Sequence, residues 1–358
     1  MQTFKLAMRM LLAACVGLPV SGCWDNKDIN HRALPVVMGI SKADETFKVT
    51  LQIPEPAGTT TQTKIVTDTG STITQAVDKI SMNLESNVDL LHLKVVLFEK
   101  PYAQQGLNES ISGFMRSRDI SPKALVVICD EDLDTFFARV TRTKQPSGTP
   151  LYDFFEKNAG WSPQIALTRI WQVYRSIHSF TRDVAIPIIR SGKSTQVEHI
   201  GTAVIKNGKM VERISPDDTL LFNAFQGQST QGKIEVMDHA SVLVVSNTIR
   251  HKSGLANGRP HVESVINLKV SVLETRETPS TASIQKDLET LLTGRFNRMF
   301  AKIQAAGADI LGIGQLFRAE LNREQLKRWR TDYYPDVNLD FRVQAVIQNQ
   351  GHLKAPAD

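Results

Sequence analysis

The chain has 358 residues, 41% of them hydrophobic and 22% charged, with a formal net charge of +5. That is enough apolar material for two or three cores, and it excludes a low-complexity or strongly polyelectrolyte chain. So small a charge gives little electrostatic drive toward nucleic acid, and a nucleic-acid-binding role is set aside.

The first segment is a leader. Lys5 and Arg9 give a positive flank, Met10 to Val20 are apolar, and Ser21-Gly22 precede Cys23. The apolar run is too short to span a bilayer, which takes roughly 20 residues. A cysteine directly after two small residues is the layout of a bacterial lipoprotein signal. Residues 1–22 are therefore predicted to be removed by cleavage between Gly22 and Cys23, with Cys23 carrying an S-diacylglycerol and an N-acyl chain. The plainer reading is a secretory signal that happens to end near a cysteine. Cleavage leaves 336 residues, and the charge falls to +3 with the loss of Lys5 and Arg9. No later stretch is apolar for long enough to cross a membrane, so the body reads as an ectodomain on a lipid tether. Cys15 leaves with the leader and Cys23 is acylated, so Cys129 alone remains and no intramolecular disulfide can form.

After the polar run Trp24–Asn30, Ala33–Ile40 reads as an apolar strand and Phe47–Ile53 alternates as its half-exposed hairpin partner. The Pro- and Thr-rich stretch Pro54–Thr69 reads as a loop. Ser71-Thr72 opens a helix with Ile73, Val77, Ile80 and Leu84 at helical spacing. Leu91–Phe98 reads as a strand, Ala103–Met115 as a helix and Ala124–Cys129 as a buried strand. Asp130–Asp134 lacks the order of a calcium loop. It reads instead as the acidic cap of a helix bearing Leu133, Phe136, Phe137 and Val140. Tyr152–Phe155 and Ile165–Ile177 read as helical, and Val184–Ile189 as a strand. Residues 23–190 thus form a mixed α/β domain whose first two strands are a hairpin.

From residue 191 to 358 the pattern becomes α+β, with a strand-rich part at 196–275 and a helical and strand part at 280–350. Ile200–Ile205 and Met210–Ile214 flank Asn207-Gly208, a strong hairpin signal. A helix at Asp217–Phe225 precedes strands at Ile234–Asp238, Ser241–Ile249 and Val262–Glu274. Two long helices, Ile284–Ala305 and Ile310–Trp329, are separated at Gly307, and Val337–Ile347 is a closing strand.

No catalytic constellation stands out. Ser191–Thr195 has the tail of a phosphate loop, but Pro187 stands where an earlier glycine is needed. Gly312-Ile313-Gly314 lacks a third glycine, and no Gly-x-Ser-x-Gly elbow or His-Glu-x-x-His helix occurs. The eight histidines are scattered. His251 and His261 lie across a Gly/Pro loop, His92 lies in a strand pattern and His178 at a helix end. Cys129 sits among Asp130, Glu131 and Asp132, which disfavour a thiolate. Asn108-Glu109-Ser110 is a chance sequon. Arg323, Lys327, Arg328 and Arg330, interleaved with Glu320 and Glu324, read as a solvated helix face, with a surface that meets anionic lipid or an acidic partner as the alternative. No catalytic, cofactor-binding or metal-ligating residue is assigned, and no cofactor is expected.

Several segments together carry a resemblance. The Cys23-Trp24-Asp25 start runs through a short polar stretch to Ile29-Asn30. Leu91–Phe98, Met115–Ile120, Gly201–Val211, Ala308–Gly314 and Trp329 follow in order. In this arrangement the chain resembles the Ger(x)C family, the C subunits of nutrient germinant receptors in endospore-forming bacteria. The segment after Trp24-Asp25 is less basic here than is usual in that family. The resemblance implies a non-enzymatic, multi-domain lipoprotein on the outer face of the spore's inner membrane. It implies partners, the integral membrane A and B subunits, and contact with the bilayer through the anchor at Cys23. A lipid-anchored solute-binding protein of an importer is the alternative reading, although such proteins show two similar lobes and these halves differ in texture.

Overall fold

The computed structural model describes residues 31–57, 60–141, 150–155, 162–276 and 279–349. The expected leader, Cys23 and the run Trp24–Asn30 lie outside the described residues.

The first sheet has eight strands. In chain order the elements to residue 214 begin with β1 (Arg32–Ala33), β2 (Val37–Ala43), β3 (Thr46–Ala57), β4 (Thr60–Gly70), α1 (Ile73–Met82), β5 (Asn87–Val88) and β6 (Val95–Glu99). They continue with α2 (Lys100–Gln105), α3 (Asn108–Arg116), β7 (Leu125–Cys129), α4 (Leu133–Thr141), α5 (Pro150–Phe155), α6 (Ile170–Ile177), β8 (Val184–Ser191), β9 (Val197–Lys206) and β10 (Lys209–Ile214). The sheet order is β10-β9-β8-β7-β6-β2-β3-β4, and β1 pairs separately with β5. β2, β6, β7 and β8 run parallel at the centre, and antiparallel hairpins close both edges.

Parallel strands covered on both faces read as continuous apolar runs, and β6 and β7 do so. Val96, Phe98, Val126 and Ile128 point toward α1, α2, α3 and α6. Val95, Leu97, Val127 and Cys129 point toward α4 and α5. β8 and β9 pair across residue 191, so the first sheet continues past that point.

The second sheet has four strands in the order β11-β12-β13-β14. α7 (Pro216–Phe225) leads into β11 (Ile234–Val236), β12 (Ala240–Ala256), β13 (Arg259–Thr275), α8 (Thr281–Ala305), α9 (Arg323–Lys327) and β14 (Asn338–Asn349). β14 returns parallel to β13, which requires the long helical crossover between them. α8 lays Leu288, Leu292, Phe296, Met299 and Ile303 on the sheet, and the Phe296 and Phe341 rings stack with centroids 3.6 Å apart. Arg295 of α8 pairs with Glu235 of β11 at 3.2 Å in the buried layer.

Several expectations need correction. Pro54–Thr69 is not a loop: β3 and β4 form a long ribbon through it. The prolines are tolerated because Gln52 faces β2, and so do the alternate residues Pro54 and Pro56, past the point where β2 has ended. Leu90–His92 is a 3-10 turn, so the strand begins only at Val95, and His92 is an exposed residue of that turn. The Ala103–Met115 helix is two helices parted at Gly106, whose φ of 138° no helix accommodates. Residues 165–169 are not helical. They run beside β7, where the Val126 N–H donates to the Thr168 carbonyl at 2.8 Å, and the helix starts at Ile170. The long helix Ile310–Trp329 does not form as one element. Its place is taken by a 3-10 turn at Ile313–Gln315, the short α9 and a π turn at Trp329–Tyr333.

Candidate functional site

The feature that joins the two sheets is a buried polar knot. Asp183, just before β8, and Asp309, just after α8, exchange main-chain contacts. The Asp183 N–H donates to the Asp309 carbonyl at 2.8 Å. The Asp309 N–H donates to Asp183 Oδ2, also at 2.8 Å. Arg330 then grips Asp183 with Nε to Oδ2 at 3.1 Å and Nη2 to Oδ1 at 2.8 Å. The same guanidinium caps the Ser179 and Arg182 carbonyls. A buried charge is tolerable only when paired and hydrogen-bonded, and Asp183 satisfies both conditions.

Among the described residues Asp309 has no cationic partner of its own. It accepts the Ile313 and Gly314 N–H groups at 2.8 Å and the Trp329 indole N–H at 2.9 Å. Burial pushes its carboxyl up to about 6; the three donors pull the other way, and nearby Asp183 adds to the rise. The Tyr334 hydroxyl donates to the Ala308 carbonyl and is pushed well above its usual value by burial and by the same two carboxylates. Gly314 is required at this point. A Cβ there would lie 2.7 Å from the Trp329 ring and 2.8 Å from Thr181 Cβ. The knot is largely withdrawn from solvent, with Asp183 0% and Arg330 13% exposed, and it offers no reacting group. Its chemistry is positional, holding the second unit against the start of β8.

The larger concavity is a groove of about 980 Å³ bounded by α1, the turn after β5, α3 and residues 117–120. His31, Arg32, Arg116, Asp89, Glu109 and Asp119 line it, with Arg32 paired to Asp89, and Val77 and Phe114 are among its apolar residues. His31 is the first described residue, so the groove lies where the described chain begins.

The residues singled out in the sequence are dispersed. Cys23 lies outside the described residues. Cys129 is fully buried in β7, and burial, with Glu131 and its acidic neighbours, pushes the thiol up to about 12, so it is no nucleophile. Asp132 does cap α4, accepting the Thr135 N–H at 2.8 Å, while Glu131 turns away to hold Ser191. His178 ends α6 and packs on Tyr174. His251 and His261 are not separated by a loop. They lie on a continuous β12–β13 ribbon, with His251 bonded to Ser264 at 2.8 Å. Among the described residues no three His, Cys, Asp or Glu side chains converge as a metal site. Arg323, Lys327 and Arg328 are exposed as expected, but Arg330 turns inward as the partly buried arm of the knot. No local motif in the sequence marks Asp183 or Asp309 as a site. The available signal was an acid set in the apolar run Ala308–Leu311 between Gly307 and Gly312.

Comparison with known proteins identifies the architecture. Residues 25–191 match the family described as Spore germination protein N-terminal domain. Residues 200–351 match Spore germination B3/GerAC like, C-terminal. The chain belongs to the Ger(x)C family of spore germination proteins. It is 23% identical to Spore germination protein KC of Bacillus subtilis (strain 168), over 98% of this chain and 97% of the relative. It is 21% identical to Spore germination protein GerQC of Bacillus cereus, over 95% and 97%. The crystal structure of the GerBC protein shares the fold with a TM-score of 0.58 at 15% identity, covering 87% of this chain and 97% of that one. The two sheets of this Ger(x)C protein differ in strand number and order, unlike the paired similar lobes of an importer's solute-binding protein.

Proposed function

We propose that this protein is the lipid-anchored C subunit of a nutrient germinant receptor, and that it works by assembly rather than turnover. The observation that carries the reading is the pair of family matches, which together account for residues 25–191 and 200–351 and begin two residues after Cys23. Support for the anchor comes from the leader and the Ser21-Gly22-Cys23 junction. Among the described residues no helix is long and apolar enough to cross a membrane. In this reading acylation of Cys23 supplies the attachment. Two or more acyl chains, at about 0.8 kcal/mol per buried methylene, hold the body where a single chain would exchange. Confinement raises the effective concentration of partners, and modest interfaces with the integral A and B subunits then suffice. The site is the outer face of the spore's inner membrane.

The eight residues from Cys23 to His31 reach at most about 28 Å. The anchor therefore keeps the 980 Å³ groove beside His31 near the bilayer, toward the membrane subunits.

Two measurements test the reading. Deletion of the gene should abolish the response to particular nutrients in spores that otherwise form normally. Cys23→Ala should shift the chain from the membrane to the soluble fraction and remove the diacylglyceryl mass from its N-terminal peptide. Unchanged nutrient germination with no paralogue present refutes the receptor role, and an unmodified Cys23 refutes the anchor.

A further inference from the structure

A second cavity, of about 260 Å³, lies between α6, the start of β8 and α7, and its charge is unbalanced. Gln172 and Gln228 line it with amides, the Asn223 and Gln226 amide donors on its wall are already committed to the Pro163, Ile165 and Leu311 carbonyls, and Phe222 and Ile310 give it an apolar side. Arg175 of α6 and Arg182 of the following turn line the same space. Among the described residues neither guanidinium has an ion-pair or hydrogen-bond partner. Arg175 meets only the Trp171 ring, 4.9 Å from its centroid. Arg182 lies against Gly312, where a Cβ would meet its Nε at 2.6 Å.

The acid on the wall, Asp183, does not neutralise them, because Arg330 and the Asp309 N–H already occupy both of its oxygens. Two like charges thus share one partly desolvated space, which disfavours both. The proton on Arg175 is held less tightly than usual, first because of burial and then because of Arg182. An oxyanion between the two forks removes the repulsion and gives each a planar partner matched to its donors.

We propose that this cavity binds a small oxyanion, carboxylate- or phosphate-bearing, clamped by Arg175 and Arg182 with the Gln172 and Gln228 amides beside its polar body. The volume falls just below the range for drug-sized ligands, which restricts the occupant to a compact molecule. The ligand bridges α6 and β8 of the first sheet to α7 and Ile310 on the C-terminal side, so its binding stabilises their contact.

The test is thermal unfolding of the full-length chain in detergent at pH 7, with sodium acetate, malonate or phosphate against sodium chloride at equal ionic strength. At least one oxyanion should raise the melting temperature by about 2 °C or more over chloride. The Arg175→Gln/Arg182→Gln double variant should lose that rise and, in chloride alone, melt no lower than wild type, because the repulsion is gone. A response to carboxylates alone assigns the site to organic acids, and a response to phosphate alone assigns it to phosphate esters. The proposal is overturned if no oxyanion exceeds chloride, or if the double variant responds as wild type does. Should the double variant melt lower, Arg175→Gln alone, at an exposed position, decides: retention of the full shift overturns the clamp.

Discussion

Arg330→Met tests whether the buried knot holds the two sheets together. Asp183 is 0% exposed and Arg330 13%, and the pair makes two direct contacts at 2.8 and 3.1 Å. Removing the cation strands a carboxylate that water cannot reach, which costs about 3–5 kcal/mol in comparable buried pairs. It also leaves the Ser179 and Arg182 carbonyls without their shared donor. With a urea slope of about 3 kcal/mol/M, the unfolding midpoint should fall by about 1–1.7 M. Intrinsic fluorescence is the natural probe, since Trp329 is buried in the knot between Phe317 and Tyr333. Asp183→Asn in the Arg330→Met background removes the stranded charge, so the double variant should unfold no earlier than Arg330→Met alone. A loss below about 1 kcal/mol for Arg330→Met, or fully additive losses in the pair, would refute the lock.

Asp309 gives a pH signature. Its folded-state value near 6 lies above the 3.8 of a free aspartate, so the folded chain keeps the proton that the unfolded chain releases. The stability it allows is complete below about pH 4 and is lost by about pH 6, a fall of about 3 kcal/mol. Wild-type stability measured relative to Asp309→Asn should decline across that window; a constant or rising difference refutes the assignment. Cys129, buried and held near 12, should resist alkylation at pH 8 until urea unfolds β7; modification of the native protein at the rate of a free thiol contradicts its burial. Gly314→Ala places a methyl 2.7 Å from the Trp329 ring and should cost about 1–3 kcal/mol by overpacking; an unchanged midpoint shows that the turn yields freely.

Much of the fold was legible because burial and period agree. β6 and β7 are short apolar runs, α8 repeats its core residues at helical spacing, and Asn207-Gly208 adopts positive φ at both turn residues. The errors share one cause: local composition was read without the neighbouring strand. Pro54 and Pro56 look like a loop until their missing donors are seen to face the side where β2 has stopped. Residues 165–169 look helical by periodicity, but β7 offers them a main-chain partner and they take it. The histidines at 251 and 261 read as loop residues because Gly254 and Pro260 lie between them, whereas the ribbon turns only at Asn257-Gly258.

The segment from Ala308 to Asp336 shows why the knot itself was invisible. Leu311, Leu316, Leu321 and Leu326 recur every five residues, which keeps the segment apolar without lining one helical face, and if a helix is assumed Arg323, Lys327, Arg328 and Arg330 read as its wet side. The helix fails for a reason located elsewhere in the chain. Asp183, more than a hundred residues earlier, captures the Asp309 N–H, and the Asp309 carboxylate then takes the Ile313 and Gly314 donors that a helix would have used internally. Gly312 at φ 69° lets the chain turn back. Once the backbone has turned, Trp329 falls under the carboxylate and Arg330 rotates inward to Asp183, while Lys327 and Arg328 remain outside with Glu324 and Asp332. One basic residue of the four is thus separated from the others by a long-range hydrogen bond, and no local pattern records such a bond. The same reasoning identifies the signal a sequence does carry. An acid between two glycines inside an apolar run must be satisfied somewhere, and here the Ile313 and Gly314 N–H groups and the distant Trp329 indole satisfy its carboxylate, while Asp183 takes its main-chain N–H.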